Sequence, residues 1–193
     1  MKKKVQLIGI VLCSLIMSSF AGSMYVGVNG GVSILSDSEI SDDSVDMSYD
    51  TGYNVEGVIG YTFNAWRAEL ALSWQKNDLD KYGPYPITGD LTVFGGMLNG
   101  YYDFKAGAGF TPYLLAGLGV LNVNLDFDEA GVDESNTLFA GQLGVGVGYA
   151  VTKNVILDLK YKYFMSQDFE IDSGSWDISL TGHQIQFGVR YQF

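Results

Sequence analysis

The chain has 193 residues, 22 of them acidic and 11 basic, for a formal net charge of −11. That balance excludes nucleic acid as a partner, because such binding rests on neutralising phosphates with lysine and arginine. A single cysteine excludes a disulfide framework, while 25 glycines, 3 prolines and 14% aromatic residues fit a sheet protein with many turns.

The first element is a leader. Lys2, Lys3 and Lys4 precede an apolar run over residues 5–17, and small residues follow at Ser18, Ser19, Ala21, Gly22 and Ser23. This is the pattern of a secretory signal peptide, and the run is shorter than the ~20 residues of a membrane-spanning helix. The expected division is a signal peptide over 1–23 and one domain over 24–193. Cleavage after Ser23 is the first choice and after Ala21 the second. Cys13 lies inside the leader behind Leu12 rather than behind a small residue, so neither a lipid-modified N-terminus nor a cysteine metal site is expected.

Eight segments then alternate between two chemically different faces, which is the mark of strands. In 24–35, Val26, Val28 and Val32 oppose Tyr25, Asn29 and Ser33. Segment 51–63 is followed by the clearest case, 65–75. There Trp66, Ala68, Leu70, Leu72 and Trp74 face away from Arg67, Glu69, Ala71, Ser73 and Gln75. Segments 91–104 and 112–125 are blurred by glycine. In 137–151, Gln142 sits among glycines opposite Phe139, Leu143, Val145 and Val147. In 155–164, Val155, Leu157, Leu159, Tyr161 and Tyr163 oppose Asp158, Lys160 and Lys162. The last segment sets Ile185, Phe187, Val189, Tyr191 and Phe193 against Gln184, Gln186, Arg190 and Gln192.

The connections alternate in length. Residues 36–50, 76–90, 126–136 and 165–180 are long; 64–65, 105–111 and 152–154 are short. The long ones hold every acid except Glu56, Glu69, Asp103 and Asp158, and those four share a face with Arg67, Lys160, Lys162 and Arg190. On this reading the opposite face carries no charge, as it must if it meets lipid, where a mid-depth Lys or Arg costs about 2–4 kcal/mol. Aromatics sort by depth on that same face. Tyr61, Phe63, Trp66, Tyr102, Phe104, Tyr149, Tyr191 and Phe193 lie near the short turns, and Tyr53, Trp74, Phe94, Phe139 and Tyr163 near the long loops. Two such girdles mark two membrane interfaces. The fold predicted is all-β: an eight-stranded, antiparallel, up-and-down transmembrane β-barrel of a bacterial outer membrane, with acidic loops outside.

The inward charges Glu56, Arg67, Glu69, Asp103, Asp158, Lys160, Lys162 and Arg190 are expected to form a paired network that plugs the lumen. Pairing Phe63 with Trp66 sets Arg67 opposite Thr62 and Glu69 opposite Gly60, leaving room over the glycine for a long partner from across the barrel. Glu56 and Lys162 are expected at similar height. Arg67, Glu69, Asp103, Asp158 and Arg190 are expected in the lower part.

The C-terminal Phe187, Val189, Tyr191 and Phe193 look like the assembly signal of outer-membrane barrels, which implies the barrel-assembly machinery as a partner. Residues 63–69 (FNAWRAE), 99–104 (NGYYDF), 112–119 (PYLLAGLG) and 157–163 (LDLKYKY) resemble the opacity-protein and surface-antigen family of small outer-membrane barrels. The architecture is similar to the barrel of outer-membrane protein A. The resemblance implies a structural and surface-contact role, adhesin- or antigen-like, toward an extracellular or host ligand, among outer-membrane lipid and lipopolysaccharide. A narrow channel or carrier is the alternative, suggested by the inward glycines Gly27, Gly31, Gly117, Gly119, Gly144, Gly146 and Gly148. A lipid-modifying enzyme is weighed too. Lipid A deacylases pair a histidine with a serine two residues on, whereas the single histidine here, His183, is followed by Gln184 and Ile185; it is read as a loop-edge residue near the outer interface. Asp126, Asp128 and Gly131 match positions of a calcium loop, but Ala130 and Thr137 stand at its fifth and twelfth positions, where the final bidentate Glu is needed. No cofactor and no metal are therefore expected, beyond divalent ions loosely bridging acidic loops to lipopolysaccharide phosphates.

Overall fold

A computed structural model describes residues 22–35, 38–39, 46–49, 51–82, 85–86, 89–104, 107–127, 133–166, 169–170, 177–178 and 181–193. Eight long strands form it: β1 (Gly22–Leu35), β2 (Gly52–Phe63), β3 (Trp66–Tyr82), β4 (Gly89–Asp103), β5 (Phe110–Phe127), β6 (Asp133–Ala150), β7 (Val155–Ser166) and β8 (Thr181–Gln192). Each pairs antiparallel with the next, and β8 pairs with β1, so the sheet closes on itself. The eight-stranded up-and-down barrel predicted from alternation is the observed fold.

The ladder registers fix the barrel's dimensions. A row of paired residues leaves β3 at Lys76 and passes through Tyr53, Val32, Ile185, Tyr161, Val145, Leu114 and Tyr102. It returns to β3 at Trp66, ten residues lower. Ten residues at ~3.3 Å give ~33 Å along the strands, against ~38 Å for eight strands ~4.8 Å apart, so the tilt is roughly 41°. Each residue then climbs about 2.5 Å along the barrel axis. Trp66 and Trp74 on β3, like Tyr191 and His183 on β8, are eight residues apart and lie about 20 Å apart in height, close to the ~25 Å of a lipid-facing band. Exposed Leu72, Leu98, Leu118, Phe139 and Leu159 fill that band.

Local chemistry explains the turns. The β2–β3 hairpin closes through two residues, and Asn64 takes the left-handed conformation (φ 56°) that asparagine tolerates. Phe63 pairs with Trp66, Arg67 with Thr62 and Glu69 with Gly60, as expected. The β4–β5 turn places Ala108 (φ 64°) and Gly109 (φ 80°) in the same region. β5 begins at Phe110, ahead of the predicted start, and Phe110 packs on Tyr149 with ring centroids 4.7 Å apart.

Several expectations need correction. The strands continue into the segments read as long loops, because hydrogen-bonded ladders persist above the girdle where both faces are polar and alternation vanishes. β3 runs on to Tyr82 and adds short ladders with Asp46–Tyr49 and Tyr85–Pro86; Phe169–Glu170 pairs with Asp177–Ile178. As a result Lys76 stands on the outward face, at the top of the band, so that face is not free of charge. Asp78, Asp90, Asp126 and Asp133 also become neighbours in one cross-strand row. Polar-in, apolar-out patterning fails in the upper half of β4–β6, where inward Leu91, Val93, Leu121, Val123 and Leu138 are apolar and buried. β1 starts at Gly22, with Gly22 and Ser23 paired to Phe63 and Thr62. Residues 1–21 lie outside the described residues, as do Lys105 and the calcium-loop positions Asp128, Ala130 and Gly131.

Candidate functional site

Parity decides which side chains enter the lumen. Odd-numbered residues of β1 and β3–β5 point inward, as do even-numbered residues of β2 and β6–β8, and all eight predicted charges are among them. Taking ions out of water costs several kcal/mol each unless partners compensate, so the pairing pattern governs the site.

At the short-turn end Arg67 contacts Asp103 at 2.9 Å. Its guanidinium lies over the rings of both Tyr101 (4.2 Å) and Tyr113 (4.6 Å), which meet edge to face with centroids 5.6 Å apart, so the cation sits in the angle between them. Arg190 forks onto Asp158 through Nε (3.1 Å) and Nη2 (3.3 Å) and lies over the Tyr25 ring. Such two-pronged arginine–carboxylate bonds fix geometry as well as charge.

Higher up, Glu56 takes both lysines: Lys160 Nζ donates to Oε1 at 2.8 Å and Lys162 Nζ to Oε2 at 2.7 Å. Asn29 Nδ2 adds a bond to Oε1. Glu56 and Lys162 therefore stand at one height, as predicted. Two cations on one carboxylate leave a net positive charge there. The balancing negative charge is Glu69, which is held by neutral donors: Tyr25 Oη (2.9 Å), Tyr101 Oη (2.5 Å) and Asn99 Nδ2 (3.3 Å).

The prediction for Glu69 is thereby corrected. The space over Gly60 is taken by Tyr25, its own neighbour in the β1–β2 ladder, and not by a long side chain from across the barrel. A tyrosine facing an inward glycine lies flat along the wall and delivers its hydroxyl one strand further. Tyr113 does the same over Gly146, where an added Cβ would come within 2.5 Å of its ring. Tyr101 and Tyr113 were missed as lumen elements, and Tyr25 was placed on the inward face without this role. For Tyr25 and Tyr113 the available signal was an inward aromatic in register with a glycine.

Amides complete the stack: Gln142 donates to Asn99 (2.6 Å), Gln186 to Asn54 (2.6 Å) and Gln184 to Gln75 (2.7 Å). Small voids lie within the lumen. One of about 30 Å³ lies beside Glu56 and Lys162, and one of about 10 Å³ lies between Glu69 and Lys160. The larger is near the room one water needs. Polar side chains from different strands are thus bonded to one another across the bore.

On the outer wall, His183 Nδ1 is 2.6 Å from Tyr161 Oη and its ring packs on Tyr163, at the upper girdle. Phe187, Val189, Tyr191 and Phe193 line the outward face of the closing seam, where the Phe193 amide donates to the Met24 carbonyl at 2.9 Å.

Comparison with known proteins agrees with this architecture. The family described as outer membrane protein beta-barrel domain matches residues 8–193. Outer membrane protein PagN of Salmonella typhimurium is 32% identical over 115 residues, 50% of this chain and 48% of that protein. A 22 kDa outer membrane protein of Rhizobium leguminosarum bv. viciae is 32% identical over 134 residues, 63% of this chain and 62% of that one. The chain thus spans between about half and three fifths of the length of these relatives. The crystal structure of Neisserial surface protein A matches with a TM-score of 0.64 at 23% identity, covering 90% of this chain and 99% of that one, and shares the fold.

Proposed function

This chain belongs to the outer membrane protein β-barrel domain family, as an integral protein of the bacterial outer membrane; from that premise we propose that it is a structural and surface-contact protein, adhesin- or antigen-like, which works through its external loops and not through its bore. The observation that carries this reading is the blocked lumen. Arg67–Asp103, Arg190–Asp158 and the Lys160–Glu56–Lys162 cluster, with Tyr25, Tyr101 and Tyr113 among them, occupy the cross-section of a barrel that is just wide enough for side chains to fill.

The inward glycines weigh against the narrow-channel alternative. An added Cβ at Gly31, Gly117, Gly119, Gly144 or Gly146 would meet a neighbouring strand or side chain at once, so these positions make room for protein atoms and not for water. Among the described residues the inward carboxylates are engaged by cations, hydroxyls or amides, which weighs against the lipid-modifying alternative. The test compares intact protein with a variant lacking residues 38–48, in planar-bilayer conductance and in binding of intact bacteria to cultured cells. The reading expects silence in the bilayer from both, and binding lost with the loop. Steady conductance from the intact protein would replace it with the channel reading.

A further inference from the structure

The lipid-facing wall is grooved in more than one sector: a groove of about 690 Å³ lies across β5–β7 among Leu118, Phe139, Gly141 and Met165, and another stands beneath a polar stretch of wall. Across β2–β5 the side chains of Leu72, Trp74, Phe94 and Val120 surround two outward glycines, Gly57 and Gly96, and leave an open groove of about 680 Å³. An added Cβ at Gly57 would meet nothing within 4 Å, and one at Gly96 only the Leu72 Cδ2 at 3.8 Å. Immediately above the groove the wall turns polar. Lys76, Thr92, Asn122 and Asn124 all face outward there, half-buried, with Asn124 bonded to Asn122 (3.1 Å) and Asn122 to Thr137 (3.3 Å).

The tilt places these groups in height. A step of two residues along a strand climbs about 5 Å, and a step from one strand to the next along a paired row toward β6 climbs about 3 Å. Lys76 therefore lies roughly 5 Å above Trp74, and Asn122, two strands away in the row of Trp74 and Phe94, lies roughly 6 Å above it. They flank β4 at one level, at the boundary between acyl chains and headgroups. Round the rest of the circumference the positions nearest that height are Tyr53, Ile34, Phe139 and Met165, which are exposed and uncharged, and Thr181. Among the described residues Lys76 is the single Lys or Arg on the outward face of the wall.

The geometry points to a lipid site: an outer-leaflet lipid bearing a phosphate lays one acyl chain in the Gly57–Gly96 groove and sets its phosphate against Lys76 and Asn122. The apolar trough, the cation and the amide donors stand in the order that such an amphiphile requires, tail below and anion above. The site rests on the membrane placement alone and not on the surface-contact role. The aspartate row one step higher is no part of it, but like charges abreast in a ladder repel, so the test is run in magnesium.

Native mass spectrometry of the detergent-extracted barrel, offered a bis-phosphorylated lipid A or its dephosphorylated form, decides the matter. The wild type should hold the phosphorylated lipid more tightly. Lys76→Gln should weaken that lipid about fivefold, the weight of one lysine at an anionic lipid surface, and leave the dephosphorylated one unchanged. Gly96→Leu should weaken both by filling the trough; Gly57→Leu repeats the test at a second open position should the first variant fail to give a heat-modifiable barrel. Equal affinity of the wild type for the two lipids, unchanged binding in the variants, or complete displacement by inorganic phosphate would each overturn the proposal.

Discussion

Glu56→Gln is the substitution that most sharply tests the two-to-one cluster in the lumen. The carboxylate is 1% exposed, Lys160 5% and Lys162 3%, so solvent screens little of what is lost. With the ammonium groups on the two oxygens of one carboxylate, their separation is roughly 5–6 Å, and their mutual repulsion at an effective dielectric of about 20 is about 3 kcal/mol. Glu56 more than offsets this now; glutamine would not. Breaking a buried ion pair costs about 3–5 kcal/mol, and the upper end applies because two cations lose their partner together. Lys160→Met should behave differently. It leaves Glu56 and Lys162 as a one-to-one pair and removes the repulsion, so the net change should stay within about 1 kcal/mol. The double variant should recover about 1–3 kcal/mol relative to Glu56→Gln alone, since one of the stranded cations is gone. Urea unfolding in vesicles, followed by tryptophan fluorescence, measures all three. Equal costs for the two single variants, or a double variant that is simply additive, would refute the cluster.

Gly146→Ala should cost about 1–3 kcal/mol in the same assay by displacing the Tyr113 ring from over Arg67, whereas Gly57→Ala on the open outer wall should be close to neutral. Deletion of Phe193 removes a seam hydrogen bond to Met24 and the last outward aromatic; the truncated chain should accumulate without heat-modifiable migration on gels. A cysteine at position 43 should react with an impermeant reagent on intact cells and one at position 153 should not, and the reverse order would invert the topology.

What could be read from the residues follows from what lipid forbids. Exclusion of charge from one face is absolute at mid-depth, so Trp66, Leu70 and Leu72 declared the outer wall and Arg67 and Glu69 the inner one. The Phe63–Trp66 register was legible because a two-residue turn leaves no freedom to slip. The lumen's pairings were not legible, because Glu56 and the two lysines come from β2 and β7, and their contact depends on closure and stagger rather than on spacing. Tyr25 and Tyr113 were hidden for a related reason: their role exists only beside a glycine of the adjacent strand. Lys76 was misplaced because water, unlike lipid, imposes no alternation on a ladder that rises above the girdle.

The seam between β1 and β8 sets an order of events. Each of the barrel's other seven ladders joins long strands adjacent in sequence, and local hairpins form cheaply. The seam aligns Tyr25 with Gln192 and runs through eleven paired positions to Leu35 and Gly182. Closing a loop of this length carries roughly 4–5 kcal/mol of chain entropy, recovered only when the whole ladder zips. Until Phe193 has emerged, the nascent sheet keeps two raw edges, each able to capture a strand from another chain. Timing is therefore written into the topology: the chain is most vulnerable to misassociation in the interval between export of its first strand and arrival of its last.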